Sequence, residues 1–232
     1  MNKIKRVFII VLTFIMFSGL FVVAGCNQEN VDFSELNYLA IGDSITRSQR
    51  FAPVPYSETV KSILGLNDAQ NVAVSGSTLI DGASNRDCIY NQIALGKDAD
   101  IISLLGGVND YSANAKLGTI DSEDETEIFG ALNRIVSRLK EKYNGKFIFI
   151  MTPLKCISKT GKNSAGVELL DIVNAIKSVG NKYSIKVLDL YNECEFSNET
   201  DPDNSDGLHP SQKFVTEKLS PVVGKFIKEN YR

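Results

Sequence analysis

The stretch NYLAIGDSIT, residues 37–46, decides the fold, because an apolar run of strand length passes directly into a turn. Residues 37–41 carry aromatic and β-branched side chains, and Gly42, Asp43 and Ser44 follow at once. Four more short apolar runs are each closed by Gly, Asn, Asp, Ser or Pro: residues 71–74, 101–105, 147–151 and 185–190. Apolar runs without alternation are typical of strands covered on both faces, so the sequence predicts a parallel sheet.

Amphipathic segments separate these runs. The clearest predicted helices cover residues 122–143, 164–179 and 211–230. Ser122 and Glu125 predict a capping box at the start of the first, and Pro221 predicts an interruption in the last. Strand and helix alternate five times without a repeat or a long linker, which favours one α/β domain with a doubly wound parallel sheet. In such a sheet the functional site lies at the carboxyl ends of the strands.

The N-terminus is predicted to lie outside this fold. Lys3, Lys5 and Arg6 precede an apolar run over residues 7–23, the form of a secretion signal. The run ends in Val-Ala-Gly-Cys, which resembles the bacterial lipoprotein box with Cys26 as the lipidated residue. We therefore expect a lipoprotein signal peptide over residues 1–25, a tether over 26–36, and a domain over 37–232 anchored outside the cytoplasm to the bacterial cell membrane. The alternative is an uncleaved N-terminal anchor, since 17 apolar residues approach the ~20 that span a bilayer.

Charge and composition exclude several kinds of partner. The net charge is −3, and it becomes −6 without residues 1–25, which contain three basic and no acidic residues. No basic run follows the first six residues, so nucleic-acid binding is not expected. A single histidine argues against a histidine-rich metal site, and the acidic loop 201–206 lacks the spacing of a calcium loop. We expect neither a metal nor a cofactor, and the oligomeric state is left open.

Three cysteines remain besides Cys26. Outside the cytoplasm, Cys88, Cys156 and Cys194 allow at most one internal disulfide. Cys156 and Cys194 follow adjacent predicted strands, which favours that pair. The alternative, three free buried thiols, is left open.

The turns after the strands carry a recurring set of polar and glycine residues. They are Gly42-Asp43-Ser44, Ser75-Gly76-Ser77, Gly107-Val108-Asn109-Asp110 and, before the last helix, Asp206-Gly207-Leu208-His209. In this order the set resembles the SGNH/GDSL hydrolase family, whose four namesake positions fall on Ser44, Gly76, Asn109 and His209. The resemblance spans the domain from Tyr38 onward. It implies a flavodoxin-like three-layer α/β/α fold and ester hydrolysis.

The chemistry of these side chains agrees with that resemblance. A serine hydroxyl becomes a nucleophile when a neutral imidazole takes its proton and a carboxylate holds the imidazole. His209 is the single imidazole of the chain, so Ser44 is the candidate nucleophile, His209 the base and Asp206 the group that orients it. The candidate oxyanion hole comprises the backbone N–H groups of Ser44 and Gly76 and the side-chain amide of Asn109. Asp43 and Asp110, not included among the catalytic residues, are expected to hold loops in place.

The substrate is less determined. The resemblance covers lipases, lysophospholipases, thioesterases and carbohydrate deacetylases, so it does not by itself identify the substrate. A polar set on the loops after Ser44 and Gly76 favours a short-acyl esterase acting on acetylated carbohydrate: Arg47, Arg50, Asn85, Arg86, Asp87 and Tyr90. The alternative is that these residues form a solvated rim. Outside the hydrolases, a solute-binding lipoprotein or a flavin-binding flavodoxin-like protein would share parts of the pattern.

Overall fold

The computed structural model describes residues 31–48, 52–204 and 206–232. In these ranges five parallel strands form one sheet in the order β2-β1-β3-β4-β5: β1 Asn37–Gly42, β2 Asp68–Asn71, β3 Ile101–Leu105, β4 Phe147–Met151 and β5 Lys186–Leu188. The α-helices are α1 Ser44–Arg47, α2 Tyr56–Leu64, α3 Ile89–Leu95, α4 Val108–Ser112, α5 Ile128–Lys142, α6 Leu169–Tyr183, α7 Leu190–Glu193, α8 Gln212–Phe214 and α9 Ser220–Asn230. The predicted signal peptide, Cys26 and residues 26–30 of the tether lie outside the described residues. Within the described part, no helix is long and apolar enough to cross a membrane.

The strand register brings the carboxyl ends of four strands to one level. Gly42 of β1 pairs with Leu105 of β3, Leu105 with Met151 of β4, and Met151 with Leu188 of β5. The turns that follow these strands therefore emerge side by side at one edge of the sheet, which is where open α/β sheets carry their sites.

Helices cover both faces of the sheet. Ile150 of β4 packs in one core cluster with Ile135 of α5 and Ile176 of α6, whereas the ring of its neighbour Phe149 packs at a tilt against Phe226 of α9 with ring centroids 5.2 Å apart. Successive side chains of a strand point to opposite faces, so α5 and α6 lie on one face and α9 on the other. This confirms the predicted three-layer α/β/α arrangement.

The edge strands differ from the prediction. β2 begins at Asp68 and ends at Asn71, where the predicted strand of residues 71–74 starts. The N–H groups of Val72 and Val74 still donate to carbonyls of β1. An edge strand has one neighbour and need not be apolar on both faces, so the apolar pattern placed this strand too late. β5 is likewise shorter than the predicted segment 185–190.

The helix α5 begins at Ile128, six residues after the predicted start. The capping box predicted at Ser122 is wrong: the Ser122 hydroxyl donates to the Glu127 carboxylate over 2.9 Å. The backbone of Asp124 lies so close to Gly130 that any Cβ there would collide with its carbonyl. The segment before Ile128 therefore folds back over the first turn of α5 instead of extending it.

The other two predicted helices also shift. α6 starts at Leu169 instead of residue 164, and the last helix is interrupted by a π-helical turn, Val215–Leu219, between α8 and α9. In this turn the N–H and the hydroxyl of Ser220 both donate to the Val215 carbonyl, the hydroxyl over 2.7 Å. Because Pro221 has no N–H, it cannot continue the regular helical ladder. The interruption thus lies immediately before Pro221.

The three cysteines of the domain are free and buried. The favoured pair of Cys156 and Cys194 is therefore wrong, and the alternative of free thiols holds. The Cys156 thiol donates to the Gly207 carbonyl over 3.0 Å, and burial raises the pKa of the Cys194 thiol to about 12. A thiol with so high a pKa is a poor nucleophile, which suits a packing role.

Candidate active site

Ser44 lies where β1 turns into the short helix α1. The turn is tight: a Cβ on Gly42 would lie 2.5 Å from the Leu105 carbonyl oxygen, so only glycine fits. Asp43 caps α1 by accepting the N–H of Ile45 over 2.9 Å. Ser44 is therefore held on a rigid strand end at the edge of the sheet.

His209 connects Ser44 to Asp206. Its Nε2 atom lies 2.9 Å from the Ser44 hydroxyl, and its Nδ1 atom lies 2.7 Å from Asp206 Oδ2. A carboxylate accepts the Nδ1–H hydrogen, which leaves Nε2 as the acceptor for the serine proton. The structure thus brings together the three residues that the sequence analysis assigned to nucleophile, base and orienting acid.

The backbone of the Asp206–His209 loop is held by its own side chains. Asp206 Oδ1 accepts the N–H groups of Leu208 and His209 over 2.9 and 2.8 Å, so the carboxylate has its second oxygen for the imidazole. Asn204 Oδ1 accepts the N–H groups of Asp206 and Gly207. These contacts set the direction of the carboxylate before any substrate is bound.

Asp201 braces the end of this loop and was missed by sequence reasoning. Asp201 is 2% exposed, and its carboxylate accepts the N–H of Ser211 over 2.8 Å and the Ser211 hydroxyl over 2.6 Å. The Ser211 hydroxyl accepts in turn the N–H of Phe214 and caps α8. Asp201 thus closes the loop that carries Asp206 and His209. A serine at the start of a helix was the only sequence signal for this contact.

Opposing effects act on the pKa of Asp206. Burial alone would raise it, but the hydrogen bonds from the N–H and the ring of His209 and from the N–H of Leu208 outweigh burial and leave this pKa lowered. The carboxylate is therefore ionised throughout the neutral range, as its orienting task requires.

Two other carboxyls at the sheet edge are completely buried. Burial raises the pKa of Asp43 to about 7 and that of Asp110 to about 6. Asp110 accepts the N–H groups of Leu79 and Ile80 over 3.0 and 2.9 Å, and Asp43 caps α1. Both carboxyls hold loops, as expected. Each carboxyl binds its proton more tightly in the folded chain than in the unfolded one. The free energy of unfolding therefore falls as the pH rises from the unfolded-state pKa toward these values.

Gly76 and Asn109, the other two candidate residues of the oxyanion hole, are connected to each other through Arg86. Gly76 has φ +83°, a conformation that favours glycine. Asn109, at the start of α4 and 8% exposed, donates from Nδ2 to the Ser77 carbonyl over 3.0 Å. Arg86 joins the two, since its Nη1 atom donates to the Gly76 carbonyl over 3.1 Å and to Asn109 Oδ1 over 3.2 Å.

Gln92 connects this group to the turn that carries Ser44. Its buried side-chain amide accepts the N–H of Gly42 over 3.0 Å and donates to the Gly42 carbonyl over 2.9 Å. The same Nε2 donates to the Ser77 hydroxyl over 3.0 Å. Gln92 thus satisfies every donor of its amide and links the end of β1 to the loop that positions Asn109. Sequence reasoning missed it, although a glutamine directly before Ile93, on the buried face of α3, was a usable signal.

Some of the polar side chains expected to face a substrate make contacts within the protein instead. Arg47 donates to the Ala73 carbonyl over 3.2 Å, and the guanidinium of Arg134 stacks on the Tyr90 ring at 3.9 Å from its centroid. Asn85, Arg86 and Asp87 are exposed on the loop before α3, and Arg50 lies outside the described residues.

A hydrogen-bonded serine, histidine and aspartate at the carboxyl edge of a parallel α/β sheet is the arrangement of a serine hydrolase. The chain belongs to the GDSL-like lipase/acylhydrolase family, whose model matches residues 40–214. It is therefore an enzyme of the acylhydrolase and esterase class.

Solved structures share the fold. A protein from Lactobacillus plantarum is 25% identical with a TM-score of 0.76, covering 87% of this chain and 100% of its own. The lipase/acylhydrolase from Enterococcus faecalis is 19% identical with a TM-score of 0.59, covering 84% and 96%. Est24, a carbohydrate acetylesterase from Sinorhizobium meliloti, is 14% identical with a TM-score of 0.64, covering 85% and 100%. Among curated proteins, no sequence matches this chain significantly.

Proposed function

We propose that this enzyme hydrolyses short-chain esters, above all acetyl esters of carbohydrates, through an acyl-enzyme on Ser44. The observation that carries the proposal is the position of His209, which contacts the Ser44 hydroxyl and the Asp206 carboxylate at the same time. No other imidazole exists in the chain to serve as the base.

In the first half of the reaction, the Ser44 oxygen attacks the ester carbonyl while His209 Nε2 takes the hydroxyl proton. The carbonyl oxygen becomes an oxyanion, which the N–H groups of Ser44 and Gly76 and the amide of Asn109 stabilise. The carbon–oxygen bond of the ester then breaks, and the imidazolium returns its proton to the departing alcohol. The acyl group is now bonded to Ser44.

In the second half, water takes the place of the alcohol. His209 removes a proton from water, the hydroxide attacks the acyl carbonyl, and the same oxyanion groups stabilise the second tetrahedral intermediate. Collapse releases the carboxylic acid and returns the proton to Ser44. Asp206 stays ionised in both halves and stabilises the imidazolium.

The choice of a short acyl group and a carbohydrate alcohol is supported by the polarity of the surroundings. Asn85 and Asp87 are exposed on the loop that follows Gly76, and they offer hydrogen bonds to sugar hydroxyls. The segment after Asn109 is polar, and Tyr111 directs its hydroxyl to the Thr160 and Gly161 carbonyls. The fold is shared with a carbohydrate acetylesterase, which is compatible with this substrate class.

The acyl chain length of the preferred substrate tests this choice. Each methylene buried in an apolar channel contributes about 0.8 kcal/mol, so a lipase improves steeply with chain length. We expect kcat/KM for p-nitrophenyl esters to be greatest for acetyl and to fall by butyryl or hexanoyl. Comparing kcat/KM for acetylated oligosaccharides with kcat/KM for p-nitrophenyl acetate shows whether the enzyme also recognises the alcohol part of the ester. A maximum at octanoyl or longer would favour a lipase with the same catalytic residues.

Asn109→Ala tests the oxyanion hole. Loss of one such donor costs about 10²–10³ in turnover. Because the donor acts mainly on the charge of the transition state, we expect kcat to fall in this range while KM changes little. Steady-state kinetics with p-nitrophenyl acetate separate the two constants. If KM alone rises, Asn109 binds the substrate and the oxyanion assignment is wrong.

We also propose that Cys26 carries a lipid that anchors the enzyme outside the cytoplasm. The proposal is supported by the sequence pattern of residues 1–26, which resembles a lipoprotein signal peptide. In cells grown with labelled palmitate, the wild-type chain should incorporate label, partition into detergent and stay with membranes after a high-salt wash. Cys26→Ser should lose the label, whereas Cys194→Ser, which changes a buried thiol of the domain, should keep it. Recovery of the wild type in the salt wash would contradict a lipid anchor.

A further inference from the structure

Arg86 is the one residue whose side chain contacts both Gly76 and Asn109 among the described hydrogen bonds. We propose that Arg86 is a positioning residue of the oxyanion hole: it fixes the Asn109 amide and strengthens its N–H groups as donors. This inference rests on the proposed function. It replaces the expectation that Arg86 serves sugar hydroxyls.

The first step of the argument is the orientation of the Asn109 amide. A guanidinium can only donate, so the atom 3.2 Å from Arg86 Nη1 must be the amide oxygen. A carbonyl can only accept, so the atom 3.0 Å from the Ser77 oxygen must be the amide nitrogen. The two partners therefore hold opposite ends of one planar group. One hydrogen of Nδ2 points to Ser77, and the second is left for a substrate oxygen.

The second step is electrostatic. A cation on the oxygen of an amide draws electron density from its nitrogen and makes the N–H groups stronger donors, because successive hydrogen bonds polarise one another. Bonds from a charged donor are also stronger than neutral ones. Asn109 is 8% exposed, and although solvent screens part of the charge of the exposed Arg86, the guanidinium acts on the amide through a direct contact of 3.2 Å. An oxyanion that forms beside Nδ2 gains from both effects.

The third step concerns Gly76. Arg86 Nη1 also donates to the Gly76 carbonyl, so one nitrogen ties the two candidate donors together. Arg86 itself is exposed, and the side-chain hydrogen bonds that the structure describes for it go to these two acceptors. A side chain so exposed contributes little to the core, so we expect its replacement to leave the fold intact.

The test compares Arg86→Met, which removes the charge and the donors but keeps the apolar stem, with Arg86→Lys, which keeps the charge. With p-nitrophenyl acetate, we expect Arg86→Met to lower kcat about 10-fold with KM nearly unchanged, by analogy with the loss of about 10- to 100-fold when partners that orient metal ligands are removed. Arg86→Lys should retain more of kcat than Arg86→Met. Arg232→Met, which removes an exposed guanidinium beyond α9, is the matched control and should equal the wild type.

A double-mutant cycle shows whether the effect passes through Asn109. In the Asn109→Ala background there is no amide to orient, so Arg86→Met should reduce kcat by less than about twofold there. An equal loss in both backgrounds, an effect on KM alone, or an Arg86→Lys no better than Arg86→Met would each overturn the inference. A wild type without ester hydrolysis would instead refute the proposed function, whereas an active wild type with an unaffected Arg86→Met refutes this inference alone.

Discussion

Ser44→Ala and His209→Ala are each expected to remove essentially all ester hydrolysis and to leave the fold intact. The hydroxyl supplies the nucleophile and the imidazole supplies its base, and the two atoms lie 2.9 Å apart. In a serine hydrolase such groups act as one unit, and loss of either costs on the order of 10⁶ in kcat. The double variant Ser44→Ala/His209→Ala should therefore be little worse than either single variant.

The measurement is hydrolysis of p-nitrophenyl acetate, together with labelling by a fluorophosphonate, which bonds only to an activated serine. The wild type should be labelled once, and neither variant should be labelled. Ser178→Ala is the control, since the Ser178 hydroxyl bonds only within α6. Thermal unfolding of each variant checks the fold. A few tenths of wild-type activity in Ser44→Ala would end the assignment of Ser44 as nucleophile.

Asp206→Asn should give the second largest loss, about 10³–10⁴ in kcat, which is less than the loss in His209→Ala. Asparagine can keep the bonds to the N–H groups of Leu208 and His209 through Oδ1, but its Nδ2 then faces the imidazole Nδ1. The imidazole is pushed to the tautomer with its hydrogen on Nε2, which donates toward Ser44 and cannot take its proton. The backbone of the loop keeps its position, but His209 can no longer act as the base for Ser44.

The same variant has a predictable effect on stability. The pKa of Asp206 is lowered in the folded chain, so its ionised form stabilises the fold above the unfolded-state pKa of about 3.9, and this contribution is lost as the pH falls through the folded pKa. The stability difference between wild type and Asp206→Asn should therefore be present at pH 7 and vanish in acid. Urea unfolding at pH 7 and in acid measures this stability difference, with Asp203→Asn, a substitution of an exposed neighbour, as the control. Equal differences at both pH values would contradict the lowered pKa.

The central part of the fold was predictable, and the edges were not. The apolar runs of β3 and β4 coincide with the predicted residues 101–105 and 147–151, because central strands covered by helices must be apolar throughout. β2, with one neighbour, has the sequence DAQN and no such pattern. The start of α5 was missed because the close approach of Asp124 to Gly130 is a contact of the folded chain and competes with a helix start that looked favourable locally.

The sequence by itself determined which chemical groups the enzyme has and in what order they follow the strands. A single histidine, a serine after the first strand and an aspartate three residues before the histidine left few assignments open, because short-range patterns of polarity and turn residues encode the elements and their ends. Only the tertiary structure decided which groups meet. Ser44 and His209 are 165 residues apart in the chain, and the Arg86–Asn109 and Gln92–Gly42 contacts join separate elements. Such pairings depend on how helices pack against the sheet and on where each buried donor finds its acceptor, and neither quantity is a property of a local stretch of residues.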